Sequence, residues 1–199
     1  MSSSKVRIAV VIGSIREKRF AEKPARWIAG LVNQRDDAEA EIVDLKDYPM
    51  AMFAEDASPL WAPSKDEHAR RWQARLDEFD GYIFTAAEYN HAPTGVLKNA
   101  FDYAGSQVLR KPAGFVGYGG VGGARAVEHL RLIAGELQMA PVRAAVHILR
   151  NDFVAIMQGQ DIAELAHLKE GADGLLNDMV WWARALRAAR AAEEQARAA

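Results

Sequence analysis

Five short apolar runs, rich in β-branched and aromatic residues, alternate with helical patterns along most of this chain. The runs extend over Val6 to Ile12, Glu41 to Val43, Tyr82 to Thr85, Phe115 to Tyr118 and Val146 to Leu149. Strands joined through helices form βαβ crossovers, and such crossovers produce a parallel sheet with helices on both faces. The alternation therefore predicts an α/β fold, a doubly wound three-layer sandwich around five parallel strands.

Apolar residues recur at helical spacing after each of the first four runs and again near the end of the chain. Pro24 fits the first of these helices only within its first turn. Ser64 and Glu67 form a capping box, which predicts that the second helix begins there. The last stripe, from Leu175 to Leu186, is followed by residues 187–199, which have little to bury and are expected to fray.

Composition excludes several classes of protein. The 199 residues are 50% hydrophobic, which suits one domain spanning residues 1–199. Lys and Arg number 25 against 27 Asp and Glu, so the net charge of -2 predicts neither a nucleic-acid partner nor an anionic membrane partner. Cysteine is absent, which excludes disulfides, iron–sulfur ligation and Cys-containing zinc sites. Redox chemistry would require a bound cofactor.

The sequence does not predict a signal peptide or a membrane span. The first apolar run contains Arg7 and is not followed by a small-residue cleavage site, so it predicts a buried strand rather than a signal peptide. Since no stretch approaches about 18 consecutive apolar residues, we expect a cytoplasmic protein without a membrane span. The segment 45–63 is long and apolar for a loop, and it fits either a site wall or a subunit contact.

The loop after the first predicted strand is the first candidate site. It carries the hydroxyl of Ser14 and the guanidinium groups of Arg16 and Arg19, with Phe20 at its end. Backbone N–H groups near a helix N-terminus together with arginines suit a phosphate monoester. An ordinary Gly-Ser turn with solvated basic residues is the alternative, but the first strand-to-helix loop of doubly wound sheets is where nucleotide phosphates bind.

Two further loops lie where the same edge of the sheet is expected. Glu88, Tyr89 and Asn90 follow the third strand and suit a flat heteroaromatic ring, which needs stacking and hydrogen bonds to its edge. The glycine-rich loop 117–123 follows the fourth strand and matches the pattern G-x-G-x-x-G. No predicted strand ends in Asp or Glu about 20 residues later, as binding of a dinucleotide ribose requires, so the loop either borders the same ring or only forms a tight turn.

Other chemistries lack their residues. The chain contains neither a G-x-S-x-G elbow nor a G-x-x-x-x-G-K-[ST] loop, and its five histidines show no metal-ligand spacing. We therefore predict no metal site and no catalytic triad. His147 is expected to be a hydrogen-bonded core residue, and His91 to serve packing or solvent contact.

From these motifs the sequence resembles the NADPH-dependent FMN reductase family, whose relatives include quinone, chromate and azo-dye reductases. The resemblance extends from Gly13-Ser14-x-Arg16, through Asp44-Leu45 and Pro49, to Glu88-Tyr89-Asn90-His91 and Gly95-Val-Leu-Lys98-Asn99, and then to the glycine-rich loop. It implies a flavodoxin-like sandwich with strand order 2-1-3-4-5. Members usually have proline directly before Glu-Tyr-Asn, where this chain has Ala87. Alanine leaves φ less restricted at that position.

The resemblance also implies the site and its ligands. FMN would be bound through its phosphate by Ser14, Arg16 and the backbone of Arg19 and Phe20. Its ring would lie between two groups of residues: Glu88, Tyr89 and Asn90 on one side, and Gly119, Gly120 and Val121 on the other. NADPH or NADH would donate hydride and leave, and a quinone, free flavin or other small electron acceptor would then bind in ping-pong order. Homodimers or homotetramers are common in the family.

In this family the cofactor performs the chemistry, so no residue is predicted to be catalytic in its own right. Two other functions remain open from the residues. One is a flavodoxin-like electron carrier that holds FMN without a nicotinamide site. The other is a flavin-free member of the fold that binds a nucleotide or a protein partner.

Overall fold

The computed structural model describes residues 5–198 and contains the predicted alternation of strands and helices. The strands are β1 (Val6–Ile12), β2 (Ala38–Asp44), β3 (Gly81–Ala87), β4 (Pro112–Tyr118), β5 (Ala140–Pro141) and β6 (Val146–Ile148). The helices are α1 (Glu22–Asn33), α2 (Glu67–Asp77), α3 (Gly95–Asp102), α4 (Ala124–Glu136), α5 (Arg150–Met157) and α6 (Ala166–Ala198). The helix α5 was not anticipated, because it contributes only one fully buried residue, Ile156, and so shows no apolar stripe.

The sheet is parallel throughout and has the order β2-β1-β3-β4-β5, with β6 also pairing with β4. The expected order 2-1-3-4-5 is confirmed, but the fifth strand consists of two short pieces. Pro141 ends the first piece, since proline cannot donate to a ladder. Leu149, predicted as part of this strand, instead directly precedes α5.

Two apolar layers pack on opposite faces of the sheet. Side chains alternate along β1, so that Ile8 and Val10 face α1 and α6 while Ala9 and Val11 face α2, α3 and α4. Both faces of β3 and β4 are covered, and every residue of these two strands is buried. The three-layer sandwich predicted from the alternation is therefore confirmed, and the loops that follow β1, β3 and β4 lie together at the carboxyl edge of the sheet.

The predicted starts of two helices can be compared with the structure. Pro24 is the third residue of α1, within the first turn as predicted. The predicted start of α2 at Ser64 is wrong, because Asp66 is the N-cap and its carboxylate accepts from the Ala69 N–H at 3.1 Å. The Ser64 hydroxyl instead donates to Glu55 at 2.6 Å and so closes the segment 55–64.

The end of the chain also differs from its prediction. Residues 187–198 continue α6 without a break, although the apolar stripe has ended. Arg190 donates to the Arg110 carbonyl at 2.7 Å and pairs with Asp80 at 3.3 Å, and Glu193 pairs with Arg110. Polar contacts to the amino ends of β3 and β4 therefore hold this part of the helix. None of the helices within residues 5–198 is long and apolar enough to cross a membrane.

Candidate flavin site

A cleft of about 340 Å³ opens at the carboxyl edge of the sheet, at the ends of β1, β3 and β4. It is lined by seven of the ten predicted site residues: Ser14, Arg16, Arg19, Phe20, Glu88, Tyr89 and Gly119. Asn90, Gly120 and Val121 are exposed residues of the same loops but do not line the cleft. The strand order reverses between β1 and β3, which is where doubly wound sheets bind ligands.

Gly13 fixes the loop between β1 and α1 against the neighbouring strand. Its N–H donates to Thr85 Oγ1 at 3.2 Å and its carbonyl accepts from Thr94 Oγ1 at 2.6 Å. A Cβ at this position would lie 2.4 Å from the Thr85 carbonyl oxygen, so only glycine fits. The loop therefore leaves the sheet in one defined direction.

The two arginines of this loop have different environments. The Arg19 guanidinium is 4% exposed and contacts Asp44 and Glu22. The Arg16 guanidinium is exposed, lies 5.7 Å from the centre of the Tyr89 ring, and forms no ion pair within residues 5–198. Lys18, which also lines the cleft, is likewise without a carboxylate partner in the described chain. Arg16 and Lys18 therefore place two cations at the mouth of the cleft that form no ion pair in the described chain, and with the exposed Glu17 between them this stretch keeps a net positive charge.

The backbone of the same loop offers hydrogen-bond donors. From Ile15 to Lys18, no N–H donates to another group among the described residues. The Ser14 hydroxyl lies 3.2 Å from the Tyr89 hydroxyl, which connects this loop to the one after β3. Free N–H groups, a hydroxyl and two unpaired cations are the donor set that a phosphate monoester requires.

Glu88 does not turn its carboxylate toward the cleft. Its side chain is 4% exposed and accepts from the Arg125 N–H at 3.1 Å and from Arg125 Nε at 2.6 Å. The N-cap of α4 is Gly123, which has no capping side chain, so Glu88 supplies this negative group from another loop. Burial alone would raise the pKa of Glu88, but the contacts with Arg125 lower it below the usual value. The carboxylate therefore joins the loops after β3 and β4.

Tyr89 and Asn90 begin a tight turn. The Tyr89 N–H donates to the Ala92 carbonyl at 2.9 Å and the Ala92 N–H donates back at 3.1 Å. Asn90 and His91 both have positive φ, at 49° and 74°, as the two central residues of such a turn require. The turn directs Asn90 to the surface and leaves Tyr89 at the cleft.

The loop after β4 approaches the cleft as bare backbone. Gly122 and Gly123 have φ of 69° and 68°, and a Cβ on Gly123 would lie 2.5 Å from the Tyr118 nitrogen. His147 Nδ1 lies 2.9 Å from the Gly122 carbonyl oxygen, which confirms the expected hydrogen bond of this partly buried histidine. The N–H groups of Gly120 and Val121 have no acceptor within residues 5–198.

The apolar walls of the cleft include residues that the sequence analysis missed. Phe153 and Met157 of α5 line it, and the Phe153 ring lies 4.6 Å from that of Phe20. Tyr118, predicted only as part of a strand, stands 5.1 Å from Phe20, and burial raises the pKa of its hydroxyl. Their signal was weak, since α5 has little apolar periodicity and the end of a strand gives no sign of facing a cleft.

This arrangement fits a flavin mononucleotide. The cleft has phosphate donors at one end and aromatic and apolar walls, and the unpaired N–H groups of Gly120 and Val121 follow Gly119, which lines it. It brings no buried acid or base to its centre, since the one carboxylate lining it, Glu88, is bonded to Arg125. A doubly wound sheet with such a cleft at its switch point defines a flavodoxin-like protein.

The model of the NADPH-dependent FMN reductase family matches residues 6–153, and the chain belongs to this family. It is 31% identical over 168 residues to an NAD(P)H-dependent FMN reductase of Schizosaccharomyces pombe, covering 82% of this chain and 84% of the relative. A 2-hydroxy-1,4-benzoquinone reductase of a Burkholderia species is 30% identical over 154 residues, which cover 74% and 80% of the two chains. This chain is therefore an FMN-dependent oxidoreductase that uses NAD(P)H.

Solved structures agree on the fold. The flavoenzyme NAD(P)H:(acceptor) oxidoreductase FerB of Paracoccus denitrificans superposes with a TM-score of 0.70 at 21% identity. The match covers 90% of this chain and 97% of FerB. At this identity the likeness supports the flavodoxin-like architecture alone.

Proposed function

We propose that the cleft holds FMN with its phosphate at the loop 13–20 and its ring between the loops after β3 and β4. Ser14, Arg16 and the backbone near Phe20 would bind the phosphate. The observation that carries this placement is the pair of unpaired cations, Arg16 and Lys18, beside the free N–H groups of residues 15–18. Nothing else lining the cleft combines positive charge with backbone donors in this way.

The protein's part in the reaction is positional and electrostatic. When bound, FMN supplies the hydride chemistry. Tyr89 would limit the ring on one side, and the free N–H groups of Gly120 and Val121 would stabilise negative charge at its edge. The Tyr118 hydroxyl stays protonated and able to donate, because burial raises its pKa. No residue is assigned a proton-transfer step.

We further propose a small quinone as the electron acceptor. The quinone reductase relative supports this class, and the apolar side chains of Phe153 and Met157 would favour a flat, uncharged ring. Steady-state assays with NADPH should show a higher kcat/KM for a benzoquinone than for ferricyanide, a charged acceptor. The reverse order would reject a neutral ring as the preferred substrate.

The remaining properties of the molecule are part of the same proposal. We place residues 1–199 in one domain of a cytoplasmic homodimer or homotetramer with no nucleic-acid or membrane partner. The net charge of -2 and the exposed Leu132 and Trp61 support this assignment. Light scattering after size-exclusion chromatography tests it, and a monomer at all concentrations would reject the oligomer.

A visible absorption titration tests the flavin site. FMN should bind the apoprotein and its visible band should bleach on anaerobic addition of NADPH, whereas an electron carrier would bind FMN and stay oxidised. Arg16→Ala should weaken FMN binding, while Arg197→Ala serves as the control, because Arg197 is also an exposed arginine but lies near the carboxyl end of α6 and does not line the cleft. An apoprotein that ignores FMN would reject the proposal.

A further inference from the structure

The Arg19 side chain, in the loop 13–20, is 4% exposed, and its guanidinium is fully engaged with other groups of the protein. A guanidinium carries five N–H donors. Nη1 donates to the Ser14 carbonyl at 2.8 Å and to Asp44 at 2.7 Å, while Nε and Nη2 donate to Glu22 at 3.0 and 2.9 Å. The fifth bond joins Nη2 to the second oxygen of Asp44. No donor of this side chain is left for a ligand.

We propose that Arg19 is a positioning residue, which clamps the Ser14 carbonyl to Asp44 and Glu22 and so shapes the phosphate loop without touching the phosphate. This inference rests on the proposed flavin site. We name Arg19, Asp44 and Glu22 together the arginine clamp.

Charge balance supports this role. The arginine clamp contains one cation and two carboxylates, so its net charge of about -1 does not attract a phosphate at the loop. Attraction comes instead from Arg16 and Lys18, which are unpaired in the described chain. Arg19 therefore positions the loop, whereas Arg16 and Lys18 attract the phosphate.

The backbone geometry explains what the clamp achieves. A carbonyl oxygen that faced the phosphate would repel it, and the Gly13 and Ser14 carbonyls directly precede the free N–H groups of residues 15–18. The Thr94 hydroxyl donates a hydrogen bond to the Gly13 carbonyl, and the Arg19 guanidinium donates one to the Ser14 carbonyl. These two carbonyls are therefore bonded to the protein, while the N–H groups of residues 15–18 are free to donate to an anion.

The clamp is anchored in two separate elements. Glu22 is the first residue of α1, and Asp44 is the last residue of β2. Asp44 also accepts from the Lys46 N–H at 2.9 Å and caps the short 3-10 helix Leu45–Asp47. Through Glu22 and Asp44, Arg19 therefore connects the loop both to a helix and to the sheet. These contacts hold the loop in place in the absence of a ligand.

Asp44→Asn should change the Kd of FMN in opposite directions depending on whether Arg19 positions the loop or binds the phosphate itself. If Arg19 acts as a clamp, weakening its support should raise the Kd of FMN about tenfold. If Arg19 binds the phosphate itself, the substitution frees its donors and removes a negative charge, so FMN would bind equally or more tightly. That second result would overturn the inference.

Asp37→Asn is the matched control. Asp37 lies just before the other end of β2 and pairs with Arg35 and Arg184, so the change in charge is the same but the phosphate loop is not involved. Its FMN Kd should stay within twofold of wild type. Riboflavin, which lacks the phosphate, should bind wild type and Asp44→Asn with similar Kd, and an equal loss for both flavins would reject a role specific to the phosphate loop.

Two Arg19 variants complete the test. Arg19→Gln combined with Asp44→Asn should bind FMN no more weakly than Arg19→Gln alone, because both substitutions break one unit. Arg19→Lys should weaken FMN nearly as much as Arg19→Gln, since an ammonium lacks the planar fork that the clamp uses. Full rescue by lysine would instead indicate a simple charge contact and overturn the inference.

Hydrogen exchange on the apoproteins separates this inference from the proposed function. Peptides covering residues 13–25 include the hydrogen-bonded N–H groups of Gly13, Lys23 and Ala25, and they should exchange faster in Asp44→Asn and Arg19→Gln than in wild type and Asp37→Asn. Failure of wild type to bind FMN would reject the proposed function. The comparison of exchange rates among the apoproteins would still test whether Arg19 holds the loop. Unchanged exchange in both variants would overturn the clamp.

Discussion

Glu88→Gln removes a buried negative charge from the amino end of α4 while keeping the shape of the side chain. Hydrogen bonds to charged groups contribute about 1.5–3 kcal/mol, and a charge at a helix terminus about 0.3–1 kcal/mol. Glutamine retains one acceptor oxygen, and Arg125 is exposed enough for water to solvate it. The variant therefore recovers part of the lost stabilisation. We expect the free energy of unfolding to fall by about 1–2 kcal/mol, which lowers Tm by about 2–8 °C in a chain of this size.

Urea and thermal denaturation of the apoproteins, followed by circular dichroism, measure this difference. Glu128→Gln is the matched control, because Glu128 lies on the same helix and pairs with Arg131 but is 74% exposed, and it should change stability by less than about 0.5 kcal/mol. Equal losses in the two variants would refute a capping role for Glu88.

The pH dependence of the Glu88→Gln difference has a defined sign. Contacts with Arg125 lower the pKa of Glu88 in the folded state below its ordinary value of 4.5. The stabilisation is therefore complete above pH 4.5 and is lost as the pH falls through the lowered pKa. Wild type and Glu88→Gln should converge in stability in acid, and a gap that widened there would contradict the assignment.

Three other perturbations have expected outcomes. Arg16→Ala should raise the FMN Kd about 10–100-fold and leave riboflavin nearly unaffected, and an equal loss for both would argue against a phosphate contact. Ala87→Pro should tighten FMN binding a few-fold in the same titration, since it restricts φ before Glu88, and weaker binding would show that the native backbone does not accept proline. Burial lowers the pKa of Lys111 to about 8, so wild type should gain stability relative to Lys111→Met between pH 8 and 10.5, by at most about 1.4 kcal/mol per pH unit. Thermal unfolding across that range would contradict this if the two curves stayed parallel.

The sheet and the phosphate loop were predictable because their signals are local. Alternating apolar residues define β1, and Gly13 and Ser14 follow it directly. The partners of buried charges were not predictable in this way. Asp44 lies 25 residues from Arg19, and Arg125 lies 37 residues from Glu88, so only the folded chain brings them together.

The predicted fraying of the last helix failed for a related reason. Intrinsic propensity and apolar periodicity describe what a segment can bury, but Arg190 is held by Asp80, 110 residues earlier in the chain. The predicted start of α2 at Ser64 failed because two capping residues compete within three positions. Asp66 caps the helix N-terminus, and the Ser64 hydroxyl donates to Glu55 instead.

The broken fifth strand limits how this sheet could pair with a strand of another chain. A long uninterrupted edge would offer a row of unsatisfied backbone groups to any extended chain nearby, which is a route to aggregation. Here that edge is divided into pieces of two and three residues. The opposite edge, β2, carries the charged Glu39 and Glu41, which resist a neighbouring strand. Growth by sheet extension is disfavoured at both borders, so any assembly of this enzyme is directed to its helices and loops.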